Sequence, residues 1–362
     1  MFEEKSEPTK LNGGDHFDGT DERNKPEWFK DIRKFTAVVS NPSVRLHLQA
    51  YNQLIKVISN VEELPQPFIK GIVKLFVTSA ILHYSHRESF KAVERLLSAL
   101  AKHDSNATLC TVAHSVLTLF PLTPNISKSI AGLAISPSKW ILMYFSYVSD
   151  DVVKDLVSSL GHLSFYCCID SKISSIFEKK LRKLCLDNKQ SIRIRNGVFD
   201  ICKEASCSKK MVCLMSYLFL VNSFDDQDLF LDQYSKSILF SKTRPEDFVL
   251  KLCGNGLKCV SAASFHDLLL PNIKKSLLRS PEIAIFGVTK VIESLMFPID
   301  DCFDDLLDWL SSCLKSSSED MGRAAVNALV AITPKVDESV VEKIVNYLME
   351  LLTSVFFFLI SV

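Results

Sequence analysis

The chain has 362 residues, of which 47% are hydrophobic and 23% charged, and its 42 basic and 42 acidic side chains give a formal net charge of zero. The apolar content excludes a mainly disordered chain, and the balanced charge argues against a strongly basic nucleic-acid-binding protein. Only 11 Gly and 13 Pro occur, which is few for a β-sandwich or barrel with a turn after about 8–12 residues. The composition therefore favours helices. The length allows two ordinary domains or one elongated repeat array, because single cores stop growing at about 250–300 residues.

The amino-terminal segment is acidic, contains glycine and has no apolar core. It is therefore neither a secretory signal nor an Arg-rich transit peptide. We predict a disordered acidic tail over residues 1–26 and one folded region over residues 27–362. The 11 cysteines include no Cys-x-x-Cys pair, and an odd count without a signal peptide fits a reducing compartment. We expect a cytoplasmic protein.

From about Glu27 onward, apolar residues recur at helical spacing between short polar or Pro-containing turns. Asn41-Pro42-Ser43 opens one predicted helix, and Pro65-Gln66-Pro67 opens the next. A further break is predicted at Ser136-Pro137-Ser138, because proline cannot donate a backbone hydrogen bond. The pattern predicts about 17–19 helices and no strand.

Three segments share a polar turn, then arginine, then apolar residues three and six positions later. They are Asn41–Arg45, Ser191–Arg195 and Ser317–Arg323. The second helix of a HEAT repeat has this pattern, and its arginine can bridge polar groups of adjacent turns. Units of about 40 residues would give roughly eight stacked pairs. We predict an all-α, HEAT/armadillo-like α-solenoid of antiparallel helix pairs rather than a compact helical bundle.

The carboxyl end is the one part of the sequence that is apolar enough to suggest a membrane-spanning segment. Residues Ile344–Val362 contain a single charge, Glu350, and a stretch of this length would just span about 30 Å of hydrocarbon. However, a helical period begins upstream at Val340, and no basic cluster follows the stretch. We therefore predict a packing helix, apparently cut before its solenoid neighbour, and no membrane association.

The segment Phe265–Glu282 contains a helix stop followed by a helix start. Pro271 must kink or restart its helix, Ser280 suits an N-cap, and Pro281 suits the first helical position. The run Leu270–Glu282, LPNIKKSLLRSPE, also resembles a signature segment of the Gcn-type (general control non-derepressible) translational activator family. The similarity is best from Leu239 to about Thr333 and corresponds to the family's amino-terminal region.

The resemblance implies a non-catalytic scaffold of a protein that associates with ribosomes and promotes activation of the starvation kinase acting on initiation factor two alpha. The implied partners are the ribosome and, through the full-length family member, that kinase. No cofactor is implied. The alternative is a generic HEAT-repeat adaptor for protein-complex assembly or transport.

No motif in the sequence carries catalytic or metal chemistry. His83 and His86 are half of a metal site, but no third ligand lies at a comparable spacing. Cys253-Gly-Asn-Gly256 lacks the Lys and Ser or Thr of a phosphate loop. The acidic run Asp300–Asp308 lacks the glycine turn and closing glutamate of a calcium loop. We therefore expect no catalytic, cofactor or metal site, and no enzyme.

One charge feature remains, between Lys179 and Arg195, where seven cations stand against Asp187 alone. On a solenoid this segment spans a helix end, a turn and the next helix start, so its cations can share a ridge. One interpretation is an ordinary solvated face, and the other is a contact with the phosphate backbone of ribosomal RNA. No interleaved aromatic residues indicate base stacking. The candidate contact residues, called the basic ridge below, are Lys179, Lys180, Arg182, Lys183, Lys189, Arg193 and Arg195.

Overall fold

The computed structural model describes residues 44–77, 87–120, 128–204 and 208–360. Across these ranges the regular structure is helical and no strand occurs, so the predicted all-α fold is confirmed. The predicted acidic tail, residues 1–26, lies outside the described residues.

The α-helices are numbered here in chain order. They are α1 (Val44–Ser59), α2 (Gln66–Ile72), α3 (Arg87–His103), α4 (Ser105–Leu119), α5 (Lys128–Tyr144), α6 (Asp150–Cys167), α7 (Ser171–Cys185), α8 (Asn188–Glu204), α9 (Lys209–Leu220), α10 (Gln227–Tyr234), α11 (Asp247–Leu257), α12 (Leu270–Arg279), α13 (Pro281–Ser294), α14 (Phe303–Leu314), α15 (Glu319–Ile332) and α16 (Glu338–Ile360). A short α turn, Ala262–Ser264, precedes α12, and π-helical turns occupy Val73–Val77, Ser235–Leu239 and Phe265–Leu269.

Aspartates begin several of the helices by accepting the unpaired backbone N–H groups of the first turn. Asp104 Oδ1 accepts from the N–H of Ala107 at 2.9 Å, and Asp170 Oδ1 accepts from the N–H groups of Lys172 and Ile173 at 2.9 and 3.1 Å. These caps explain why α4 and α7 begin where they do.

The prolines near helix boundaries behave in two ways. Pro271 lies in the first turn of α12, two residues after a π-helical turn. The predicted kink or restart corresponds here to a change from π-helical to α-helical turns. Pro137, in contrast, lies inside α5, and the predicted break at Ser136-Pro137-Ser138 is wrong. Trp140 and Ile141, beyond that proline, are fully buried. The packing of both halves of α5 outweighs the one backbone hydrogen bond that proline removes.

Consecutive helices of one row stack on one another from α9 to α15. Helices α9, α11, α13 and α15 form this inner row, while α12 lies along α13 and α14 along α15. The inner helices begin at Lys209, Asp247, Pro281 and Glu319, with spacings of 38, 34 and 38 residues. The observed period agrees with the predicted repeat of about 40 residues.

The amino-terminal part is stacked less regularly. Helix α6 packs against two helices that precede it in the chain, α4 and α5. It also packs against the three helices that follow it, α7, α8 and α9. Both α8 and α9 therefore stack on the same helix. This arrangement places the start of α8 beside the turn between α5 and α6.

The last helix, α16, packs against the stack through only one of its faces. Ile344 is 2% exposed and joins the core, and Val340 and Leu348 pack against it. Val345 and Leu352 are 52% and 61% exposed. In the described part of the chain, no helix has the length and sustained apolar character needed to cross a bilayer.

Candidate functional site

The basic ridge lies across two helices and the turn between them. Lys179, Lys180, Arg182 and Lys183 belong to the last half of α7, which ends at Cys185, and the other three cations follow the start of α8 at Asn188. The structure therefore places all seven residues on adjoining elements, although their side chains differ in their surroundings.

Four lysines of the ridge project into solvent. Lys179, Lys180 and Lys183 are exposed on α7, whose buried residues are Phe177 and Leu181. Lys189, in the first turn of α8, is exposed as well. Among the residues that the structure describes, none of the four takes part in an ion pair. We call Lys179, Lys180, Lys183 and Lys189 the lysine group.

Arg193 has a different environment, because its side chain is only 10% exposed. Its Nε donates to Asp150 Oδ1 at 2.7 Å, and its two terminal nitrogens donate to the backbone oxygens of Val148 at 2.6 Å and Phe145 at 3.2 Å. The guanidinium also lies 5.5 Å from the centre of the Phe145 ring. Arg193 therefore fastens α8 to the turn between α5 and α6 and is not free for an outside ligand, although the repeat pattern assigns such a bridge to Arg195.

The remaining two arginines of the basic ridge contact protein partners but stay partly exposed. Arg182 Nη2 donates to Glu178 Oε1 at 2.8 Å and to the backbone oxygen of Leu220 at 3.0 Å. Arg195 Nη1 lies 3.4 Å from Asp225 Oδ1. Their side chains are 44% and 36% exposed, so both keep a surface that an anion can reach.

The other residues considered for metal or phosphate binding have structural roles or lie outside the described residues. His83 and His86 fall outside the described residues. Cys253-Gly-Asn-Gly256 lies inside α11, where a Cβ on Gly256 would be 2.6 Å from Cζ of Phe230. That glycine permits a close helix contact, as expected for a residue without a phosphate-binding role. In the acidic run, Asp300 Oδ1 accepts from the N–H of Asp337 at 2.7 Å.

A charged groove along the inner helices is a feature that the sequence analysis missed. It has a volume of about 300 Å³ and is lined by residues of α11, α13 and α15 together with Arg244. The Arg244 guanidinium lies 3.9 Å from the centre of the Phe286 ring, and it contacts Asp320 at 3.3 Å and Asp247 at 3.6 Å. Cations and acids alternate around the groove, so it does not favour a ligand of one charge. These partners are up to 76 residues apart, and no local pattern relates them.

Comparison with known proteins bears on the regular part of the stack. Residues 227–355 match a family model described as "Stalled ribosome sensor GCN1 N-terminal". These residues are therefore similar to the amino-terminal region of GCN1, and we call them the GCN1-type region. It is also 25% identical over 339 residues to Stalled ribosome sensor GCN1 of Homo sapiens, and 25% identical over 344 residues to the protein of the same name from Mus musculus.

The two alignments cover 89% of this chain but only 13% of either relative. The chain thus spans about an eighth of the length of the curated relatives that it matches. The resemblance found at Leu270–Glu282 is confirmed, since that segment lies inside the family match. The GCN1-type region begins at Gln227, the first residue of α10, and reaches into α16. The basic ridge lies outside it.

Proposed function

We propose that this chain is a non-catalytic HEAT-repeat scaffold that associates with ribosomes and belongs to the amino-terminal arm of a translational activator. The observation that supports this most is the coincidence of the GCN1-type region with the stack from α10 into α16. A stack of this kind presents an extended surface, which suits a binding scaffold. The relatives' name, a sensor of stalled ribosomes, supplies the partner.

In this proposal the chain acts in the cytoplasm and contributes ribosome association. Activation of the starvation kinase that phosphorylates initiation factor two alpha belongs to the whole activator, because the chain corresponds to 13% of its relatives' length. The kinase is therefore an indirect partner.

We further propose that the lysine group contacts the phosphate backbone of ribosomal RNA. These four exposed ammonium groups form no ion pair within the described part of the chain, so each can replace a counterion at a phosphate. Arg182 and Arg195 can add to the contact through their exposed faces, whereas Arg193 positions the ridge by holding α8 in place.

Co-sedimentation of the purified chain with ribosomes tests the first proposal. We expect the chain to pellet with ribosomes through a sucrose cushion and to remain in the supernatant without them. A generic adaptor for complex assembly or transport would stay in the supernatant in both cases, and that result would contradict ribosome association.

Salt dependence tests the RNA contact separately. Each phosphate contact contributes a slope of about −0.7 to −0.9 to the logarithm of affinity against the logarithm of salt concentration. Replacing all four residues of the lysine group by Gln should therefore flatten the slope by roughly three to three and a half units. The matched control replaces four exposed lysines of the GCN1-type region, Lys242, Lys251, Lys258 and Lys275, by Gln.

The control should bind with an almost unchanged slope. Circular dichroism should show the same helix content in both variants, because exposed Lys→Gln changes usually alter stability by less than about 0.5 kcal/mol. If ribosome binding and its slope are the same in both variants, the lysine group is an ordinary solvated face.

A further inference from the structure

A cysteine, a histidine and an aspartate come together where α4 packs against α6. Cys110 and His114 are four residues apart on α4 and therefore lie on the same face of that helix. Asp155 belongs to α6, 45 residues after Cys110. One donor atom from each of the three side chains lies within 4.8 Å of the other two. The packing of two helices thus brings together three side chains that commonly bind metals.

Two separations between the donor atoms match those of a tetrahedral metal site. Cys110 Sγ lies 3.6 Å from His114 Nδ1 and 3.7 Å from Asp155 Oδ2. Zinc binds sulfur at about 2.3 Å and nitrogen or oxygen at about 2.0–2.2 Å, and the tetrahedral angle then separates sulfur from either ligand by about 3.6 Å. The third separation, from His114 Nδ1 to Asp155 Oδ2, is within 4.8 Å. A tetrahedral ion needs about 3.4 Å there, which rotation of these exposed side chains can supply.

We propose that Cys110, His114 and Asp155 bind a zinc-like divalent cation that fastens α4 to α6. The donor set selects the metal, because a thiolate and an imidazole favour zinc over magnesium or calcium. One thiolate and one carboxylate also balance the charge of the ion. His114 and Asp155 are exposed, so water completes the coordination from the solvent side.

The histidine ring has a position compatible with this role. His114 Nδ1 lies 2.9 Å from the backbone oxygen of Cys110. When the proton is on Nδ1, the ring donates to that oxygen. When the proton is on Nε2, the lone pair of Nδ1 is available to the metal. The Cys110 oxygen loses only an additional hydrogen bond, since a carbonyl inside a helix also accepts the N–H four residues later.

The thiol must lose its proton to the solvent when the metal binds. Burial raises the pKa of the Cys110 thiol, and Asp155 and Asp151 of α6 raise it further, whereas Lys70 of α2 lowers it. Without metal the neutral thiol donates to Asp155 Oδ2. Metal affinity should therefore increase with pH, because the ion displaces the thiol proton.

Cobalt(II) titration of the full chain under reducing conditions tests the site. We expect one equivalent of cobalt to give the visible absorption of a tetrahedral ion and the near-ultraviolet charge-transfer band of a cobalt thiolate, both removed by zinc. Cys110→Ser should abolish the charge-transfer band. His114→Gln and Asp155→Asn should each weaken zinc binding at least tenfold.

The matched controls are Cys259→Ser, at an exposed cysteine elsewhere, and His266→Gln, at a histidine 3.3 Å from Asp301. Both should bind cobalt like the unchanged chain. Asp155→Asn alters an exposed side chain, so it tests the site even if Cys110→Ser perturbs folding. The proposal is overturned if the unchanged chain shows no cobalt thiolate band, or if the band and affinity persist in Cys110→Ser and Asp155→Asn.

Discussion

The irregular part of the stack around α5 to α8 and the regular part from α10 to α15 use an arginine near a helix start differently. Arg193 lies near the start of α8, and Arg323 lies near the start of α15. Arg193 is 10% exposed and bonds to the turn between α5 and α6, whereas Arg323 is 63% exposed and pairs with Glu319 in its own helix. The two arginines thus have similar positions on their helices. The neighbouring turn decides whether such an arginine links two repeats.

The largest effect that we predict follows from this difference. Arg193→Ala should lower the free energy of unfolding by about 2–4 kcal/mol, because the backbone oxygens of Phe145 and Val148 lose their donor in a poorly hydrated place. Denaturant unfolding followed by circular dichroism measures the loss. Arg323→Ala is the control and should cost less than about 1 kcal/mol, as expected for an exposed pair on one helix. Equal losses in the two variants would show that the position near the helix start, and not the neighbouring turn, determines the contribution.

The close packing of the regular part is tested at its glycines. Gly256→Ala would place a Cβ 2.6 Å from Cζ of Phe230, a fully buried ring with little room to move. We expect a loss of about 2–3 kcal/mol in unfolding free energy, typical of overpacking. Gly322→Ala is the control, because a Cβ there meets nothing within 4 Å.

In the control, alanine should stabilise α15 by about 0.5–1 kcal/mol through its better helix propensity. The chemical denaturation midpoint of each variant, compared with that of the unchanged chain, shows whether the substitution destabilises or stabilises the fold. A neutral Gly256→Ala would mean that the helices of the regular part can separate slightly without cost.

A buried histidine in α6, in the irregular part, should make the stability of the fold depend on pH. Burial lowers the pKa of His162 to about 4, and the charge of Lys210 lowers it further, while a hydrogen bond to the backbone oxygen of Phe120 opposes both. The unfolded chain takes up this proton near pH 6.5, but the folded chain does so only near pH 4. The stability from the neutral ring is therefore complete above pH 6.5 and is lost as the pH falls towards 4.

After allowance for solvent screening, we expect this loss to amount to about 1–2 kcal/mol. Urea unfolding between these pH values should show a smaller decline for His162→Gln than for the unchanged chain. Gln retains a donor for the Phe120 oxygen without a titrating ring. An identical decline in both proteins would assign the acid sensitivity to carboxylates elsewhere.

The fold could be predicted from the sequence because each helix carries its own signal. The apolar period of α1 and the restart at Pro271 are local features, and the structure contains both. Pro137 shows the limit of such features, since the burial of Trp140 and Ile141 decides against the break that its sequence indicates.

The candidate sites depended on contacts that the sequence does not contain. The seven cations of the ridge look alike in the sequence, but only packing separates the buried Arg193 from the exposed lysine group. The spacing of Cys110 and His114, one helical turn, is a weak signal by itself. The third proposed metal ligand, Asp155, is 45 residues from Cys110 and becomes its neighbour only when α4 packs on α6.

The smallest predicted effect concerns Arg244, which links repeats in the regular part as Arg193 does in the irregular part. Its side chain is 47% exposed, and it contacts Asp320 and Asp247 while lying over Phe286. Solvent screens these contacts, so Arg244→Ala should cost only about 0.5–1 kcal/mol. Part of that loss should disappear in 1 M salt, where the screening length falls to about 3 Å. The loss in Arg193→Ala should persist in salt, because that guanidinium is mostly buried and its carbonyl partners carry no charge. Denaturant unfolding at low and high salt measures both. If Arg244→Ala costs as much as Arg193→Ala at either salt concentration, then exposure does not distinguish the arginine links of the two regions.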